Sequence, residues 1–474
     1  MKILPKRIAL LIIFCLTFTS AYGVAYKKEV LGIASEPGKI ITLRTPPANA
    51  QGYYLSEVLT IIYNKLGYEV SFINTPGVRE LQLAAASNLS GVLARDRVVE
   101  SSFPDLVRVD ISLLEYQVIL VGDRRECGFC LPENITSVGY PRGLVVFDSI
   151  IERFFNKPNV IALTNTHDVE EVVLKKRLPA FLTVNIDYSA NLDSSPHIVK
   201  HVLDVRPDYH YLSPQNAFLK PLIERELRRL KESGELEKLK AQFGIHDFQE
   251  QVAKQPKDLT VKAVSGHWEA YTETDGTGVY WGLLEEGLPK SIMLQKEASS
   301  WLRATRQFKS NKADILVGTY MGMPKGYLTS KYHIDYEASV VALTQDLETL
   351  NRLKNNDLEL NICAAETYEL VKKQLSDKAL IYRADFFLCE QLFLQKRVDV
   401  IVEYPYNVSS FFDQYPSMEF YESLPLFIMF QNNDKGRWLK MEFDKGIEEA
   451  SRKNKLSKHF ISLEDYKHAR IKPL

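Results

Sequence analysis

Neither sign of charge prevails in this chain: 59 Lys and Arg stand against 60 Asp and Glu, for a formal net charge of -1. A broad polyanion-binding surface, and with it a nucleic-acid partner, has no compositional support. Beyond the first 23 residues no stretch approaches the ~18 uninterrupted apolar positions of a membrane span. Cysteine is scarce, with five in 474 residues. Ser, His and Asp occur without a placed nucleophile motif such as GxSxG. Paired acids such as Glu285 and Glu286 are adjacent and do not face a common substrate. His197, His201 and His210 have no compact set of acidic or cysteine companions that would define tetrahedral zinc. No reaction centre, cofactor or metal is expected. The 45% hydrophobic composition over this length is enough for two or more domains with cores of their own.

The N-terminus carries a leader pattern. MKILPKRIALLIIFCLTFTSAYG sets Lys2, Lys6 and Arg7 before an apolar run from Ile8 to Phe18, and Ala21, Tyr22 and Gly23 supply a small-x-small cleavage pattern. The run is short for a bilayer span and reads as a secretory signal over 1–23, cut before Val24. Cys15 is followed by Leu16, Thr17 and Phe18, a poor setting for lipid attachment, so a soluble exported protein is expected. Cleavage would remove three basic and no acidic residues, taking the formal charge from -1 to -4. An oxidising compartment permits disulfides. The candidates are a local Cys127/Cys130 link and a Cys363/Cys389 link, with free thiols as the alternative. ECGFC has the spacing of a redox site, but Leu131 and Pro132 follow where a catalytic dithiol would need a helix, so a structural pair is favoured.

The mature sequence reads as two successive α/β units. In the first, IITLRTP is an opening strand, and Leu55, Val58, Leu59, Ile62 and Leu66 recur at helical spacing. YEVSFI, SGVLA, FPDLVRV and YQVILVG follow as strands, and a second lobe begins at ENITSVGYPRG, with FDSIIERFF and LPAFLTVN alternating through it. The second unit repeats the order: LTVKAVS, a helix at VYWGLLEEGL, SIMLQKEA, a helix at SWLRATRQF, ADILVGT, then LELNICAA through RVDVIVEY. Alternation of this kind predicts mostly parallel sheets covered by helices. Both units end in helical stretches, ERELRRLKESGELEKLKAQF and EFDKGIEEASRKNKLSKHF, whose leucines and phenylalanines pack as core. DFQEQVAKQPKD between them is polar and reads as a short linker.

GYYLSEVLTIIYNKLGYEVSF and FPDLVRV in unit one, with WEAY, GTGVYWGLL and SWLRATRQFKSNKADILVG in unit two, resemble a tandem of bacterial extracellular solute-binding proteins of family 3, the amino-acid-binding type. The resemblance implies an α/β fold of two consecutive bilobed, periplasmic-binding-protein-like (type 2) modules, over about 35–248 and 258–465 with a linker at 249–257. It further implies cleft closure around a small polar solute in the periplasm, delivery to an inner-membrane transporter or report to a membrane sensor, and a monomer without cofactor. The competing readings are a sensory accessory of a signalling receptor and, more distantly, a hydrolytic enzyme. The family's acidic residue near the end of the second-lobe strand has no match in unit one, where Val184 and Asn185 stand there and Asp187 lies just beyond. In unit two Glu403 is the acidic candidate, with Tyr404 next to it.

Gly276, Gly278 and Gly282 do not have GxGxxG spacing and stand where the family has a ligand loop, so a dinucleotide site is not expected. In unit two, Trp268 and Tyr271 are candidate aromatic walls, Arg303 a candidate carboxylate ligand, Glu403 a candidate ammonium ligand and Tyr320 a further cleft residue. Trp281 reads as core. In unit one Arg95 is the first carboxylate-binding candidate, with Arg79 and Arg97 as alternatives, and Tyr53 rather than Tyr54 is the candidate cleft aromatic. Unit two is the better retained binding module.

Overall fold

A computed structural model describes residues 39–473 apart from 143–144, 165, 246–247, 249–252, 356–358, 366–379, 385, 406–407 and 409. The expected leader and part of the expected linker lie outside the described residues.

The first module has eight strands: β1 Ile40–Arg44, β2 Glu69–Ile73, β3 Gly91–Arg95, β4 Val107–Asp123, β5 Ser137–Pro141, β6 Asn159–Leu163, β7 Ala180–Val184 and β8 Ile198–Leu212. Helix Ala50–Lys65 links the parallel pair β1 and β2. Asn49 caps it by accepting from the Gly52 amide, and its buried stripe is Tyr54, Leu55, Val58, Leu59, Ile62 and Tyr63, the predicted apolar face. A Cβ at Gly52 would stand 2.0 Å from the Pro47 carbonyl oxygen, so only glycine fits under that turn.

The end of FPDLVRV, from Val107, and all of YQVILVG, read as two successive segments, belong to one 17-residue strand, β4. It pairs antiparallel with β8 from Val107↔Leu212 to Asp123↔Ile198, and register shifts absorb the polar interruptions. The partner strand supplies hydrogen bonds where side-chain patterning breaks down, so pairing overrides local sequence. The sheet order β3-β8-β4-β7-β5-β6 therefore runs through both lobes of module one.

The second module has β9 Thr260–Gly266, β10 Met293–Ser299, β11 Ile315–Tyr320, β12 Leu328–Thr329, β13 Asp335–Tyr336, β14 Val340–Thr344, β15 Asn361–Ala365, β16 Leu380–Ala384, β17 Val400–Glu403, β18 Ser417–Tyr421 and β19 Pro425–Phe430. Here the lobes have separate sheets, β10-β9-β11-β19-β12 with β13 beside β19, and β16-β15-β17-β14-β18. The chain crosses between them twice, at 337–339 and 422–424. The architecture is thus α/β, two consecutive bilobed modules. The sheets are mixed rather than mostly parallel, because the strands that cross or return between lobes, β4, β8, β14 and β19, run against their neighbours.

Both disulfides are formed, Cys127–Cys130 and Cys363–Cys389. The first closes a tight loop whose tip, Phe129, is buried in the core of module two with Leu131. Phe129 lies 4.6 Å from the Tyr332 ring, its amide donates to the Ile471 carbonyl and its own carbonyl accepts from His201. Arg124 follows it into the junction, donating to the Lys331 carbonyl at 2.7 Å, and burial lowers its pKa to about 10. Module one is therefore plugged into the first lobe of module two.

Candidate functional site

The cleft of module two is built from strand ends. Trp268 follows β9, and its ring covers Gly266 and Gly318; a Cβ at Gly318 would stand 2.5 Å from that ring. Trp301 opens helix Trp301–Lys309 and packs at 5.4 Å on Trp268, whose ring also meets Tyr280 edge-on, and Tyr280 lies tilted at 4.9 Å from Tyr271. The predicted Trp268 and Tyr271 are both half-buried in this aromatic group, and Trp281 is core.

The glycine loop holds the group in place. Gly276 and Gly278 have φ of +84° and +118°, and the Tyr271 carbonyl oxygen occupies the space of a Gly278 Cβ. The amides of Val279 and Tyr280 at the start of helix Val279–Gly287 donate to the carbonyls of Ala270 and Tyr271. Two donors that a phosphate would need are thereby used by the loop itself.

The two lobes meet at one carboxylate. Glu337, in the first crossover, accepts a hydrogen bond from the Tyr320 hydroxyl at the end of β11. That hydroxyl is 3.4 Å from the Tyr404 hydroxyl, which follows β17 in the other lobe. Burial raises the Glu337 pKa, and the Tyr320 and Tyr404 hydroxyls oppose the rise. Two residues earlier, Asp335 accepts from the Tyr280 hydroxyl at 2.9 Å, and burial raises its pKa to about 7. Glu403 is buried at the end of β17 and accepts from the Tyr404 amide. The result is a group of tyrosines and tryptophans near two buried carboxyls, Asp335 and Glu403, and the half-buried Glu337, suited to hydrogen-bond donors and positive charge.

The structure thus brings Tyr320 close to the Glu403–Tyr404 strand end, and sets Trp268 and Tyr271 on the lobe-one rim. It does not bring Arg303 there. Arg303 stands on the solvent face of its helix, 69% exposed, with Glu297 at 3.4 Å. Ala304 and Phe308 take the buried face, and the side chain one position earlier is turned to water. Glu337 and Asp335 were missed by sequence reading. Their signal is HIDYEA, where two acids alternate on one face of an aromatic strand that leads into a crossover.

In module one, Arg95 is bonded to the buried Glu80, which also has Arg44 at 3.6 Å. Asp208 on β8 is nearby; burial raises it to about 7, with Arg95 opposing and Asp96 adding to the rise. Asp96 accepts from Tyr116 and from Arg206, whose guanidinium also reaches Ser149 of the second lobe. Arg79 and Arg97 are exposed. Tyr53 is 52% exposed on the outside of its helix, whereas Tyr54 is core and donates to the Leu113 carbonyl.

The three histidines weighed as zinc ligands have other partners: His210 has Tyr63 at 2.7 Å, His201 has Phe129, and His197 has Tyr336 and Glu422. Among the described residues no group of three or more His, Cys, Asp or Glu is placed to hold a metal ion.

No protein-family model matches the chain, and no curated protein matches it. Among solved structures, the periplasmic domain of BvgS from B. pertussis is similar over 89% of this chain and 90% of its own, at 10% identity and a TM-score of 0.39. ArgBP from T. maritima matches 44% of this chain and 94% of its own, at 14% identity and a TM-score of 0.35. AbpA from Streptococcus pneumoniae, an amino acid ABC transporter substrate-binding protein bound to L-arginine, matches 43% of this chain and 93% of its own, at 12% identity and a TM-score of 0.34.

Proposed function

We propose that the chain is a periplasmic solute-binding protein whose second module captures a small polar solute by closing its lobes, for delivery to an inner-membrane transporter. The observation that carries this reading is the contact of Tyr320, Glu337 and Tyr404, one residue from each lobe and one from the crossover between them. Two separate sheets joined by two short crossovers are the mechanical requirement for hinge closure.

The buried carboxyls favour a solute that carries an ammonium or another cationic group, an amino acid or an amine. Glu403 is the proposed charge partner, with Trp268, Tyr271 and Tyr320 as walls. In module one Arg95 stays a candidate for an anionic group only if a ligand displaces Glu80. The continuous β4 and β8 ribbon resists hinge bending there, which supports assigning capture to module two.

Calorimetry of the mature chain, stripped of copurified ligand, against amino acids, polyamines and small carboxylates tests the reading. Saturable binding of an amine-bearing solute that weakens about tenfold or more in Glu403→Gln is expected. A folded protein with no saturable binding to any of the panel would end it.

A second reading, a ligand-sensing accessory of a membrane receptor, is favoured by module one's grip on both crossovers of module two, through His197 to Tyr336 and Glu422. Closure would then be felt outside the module that closes. Co-purification with a membrane signalling protein rather than a permease would select it.

A further inference from the structure

Beside the hinge of module two lies a cavity of about 370 Å³ lined by residues of both modules. Its charged lining comes from both: Arg125 and Lys176 from module one, and Glu419, Glu422, His468 and Arg470 from module two. Its back wall is the hinge itself, Ala338 and Ser339 of one crossover and Glu422 and Ser423 of the other.

The charges do not balance within this group. Arg125 is held by Asp123 at 2.7 Å and by Glu422 at 3.2 Å, and Glu422 also meets His197 at 3.1 Å. That set is closed. Lys176, His468 and Arg470 share the lining with one further carboxylate, Glu419. Arg470 is fixed all the same. Its guanidinium lies over the Tyr336 ring at 5.0 Å, and the side chain lines the cavity. The Ser423 hydroxyl already donates to the Glu337 carbonyl, but a positive, solvent-reachable pocket with the Ser339 hydroxyl on its wall is the composition that takes up a small anion of two or more charges.

We propose that this inter-module cavity is an effector site for a small multivalent anion, a phosphate or a polycarboxylate, which bridges Lys176 of module one to Arg470 and His468 of module two. Its lining shares no residue with the proposed solute contacts Glu403, Trp268, Tyr271 and Tyr320. Because its wall is the hinge, its occupancy and the hinge setting bias one another.

The test is titration of the full mature chain, at low ionic strength, with inorganic phosphate and separately with citrate. Saturable binding is expected for at least one, and comparison of the two arms tells which chemistry the site prefers. The Lys176→Gln/Arg470→Gln double variant should weaken it by about tenfold or more, and Glu419→Gln should strengthen it by about threefold. Since Arg470 packs on Tyr336, the exposed Lys176→Gln/His468→Gln pair is made in parallel and should weaken binding in the same direction without disturbing that contact. Absence of saturation by both anions up to ~10 mM, or equal affinity in wild type and both double variants, would overturn the proposal. A null result in the amine panel described above leaves this test untouched, so the two readings fail separately.

Discussion

Tyr336 of module two lies face to face with His197 of module one, their ring centroids 6.0 Å apart and their planes 17° from parallel. The imidazole Nδ1 is 3.2 Å from the Tyr336 hydroxyl, and Nε2 is 3.1 Å from Glu422. Tyr336 enters one crossover and Glu422 lies in the other, so a single side chain of module one touches both ends of the hinge of module two. His197→Ala should raise amide hydrogen exchange across 335–340 and 421–425, by the equivalent of about 1–3 kcal/mol of lost protection. Exchange in helix Ala50–Lys65 should not change. Equal protection at both crossovers in variant and wild type would show that the junction does not hold the hinge.

Phe129 is 1% exposed, with its ring in the core of module two although it belongs to module one. Phe129→Ala should cost about 3–5 kcal/mol, read from denaturant unfolding, and the loss should fall on the transition that reports module two. Module two expressed alone should show a similar loss, because Phe129 and Leu131 leave its core together. Full stability of the isolated module would mean that the plug is not part of that core's energetics.

Asp335 gives a pH signature of defined sign. Its carboxyl is raised from 3.8 to about 7 by burial, so between those values the folded chain holds a proton that the unfolded chain has released. Its contribution to stability is present at low pH and is lost as pH rises toward 7. Asp335→Asn keeps a neutral side chain at every pH. The variant should gain on the wild type by up to about 4 kcal/mol between about pH 4 and pH 8. A stability difference independent of pH would show that Asp335 titrates normally.

Arg303→Ala should leave solute affinity within about twofold of wild type, since the guanidinium is exposed and faces Glu297. Tyr320→Phe removes a donor from the half-buried Glu337 and should cost about 1–3 kcal/mol in stability. Calorimetry distinguishes the two: the first variant should match wild type in both binding and melting, the second should not. A large affinity loss in Arg303→Ala would return that residue to the cleft.

The parts that were legible in sequence are those set by local periodicity. The stripe from Leu55 to Ile62, the strands IITLR and ILVGT, and the helix at VYWGLLEEG sit where their apolar spacing put them. Arg303 was not legible in the same way, since a basic residue in the first turn of a helix can face the cleft or the solvent, and packing of Ala304 and Phe308 made the choice. Tyr53 and Tyr54 are neighbours in sequence with opposite fates, 52% exposed and fully buried. A helix turns by about 100° per residue, so the alignment that selects one excludes the other.

By itself the sequence determined the α/β class and the order of the elements in each half, because composition and apolar spacing act over a few residues at a time. Only the tertiary structure decided that β4 and β8 fuse the lobes of module one while module two keeps separate sheets. It alone decided that Phe129, Arg124 and His197 reach across to the second module, and that Glu337 meets tyrosines from both lobes. Those contacts join residues far apart along the chain, and the free energy that selects them arises from desolvation and pairing on folding, which no local pattern records.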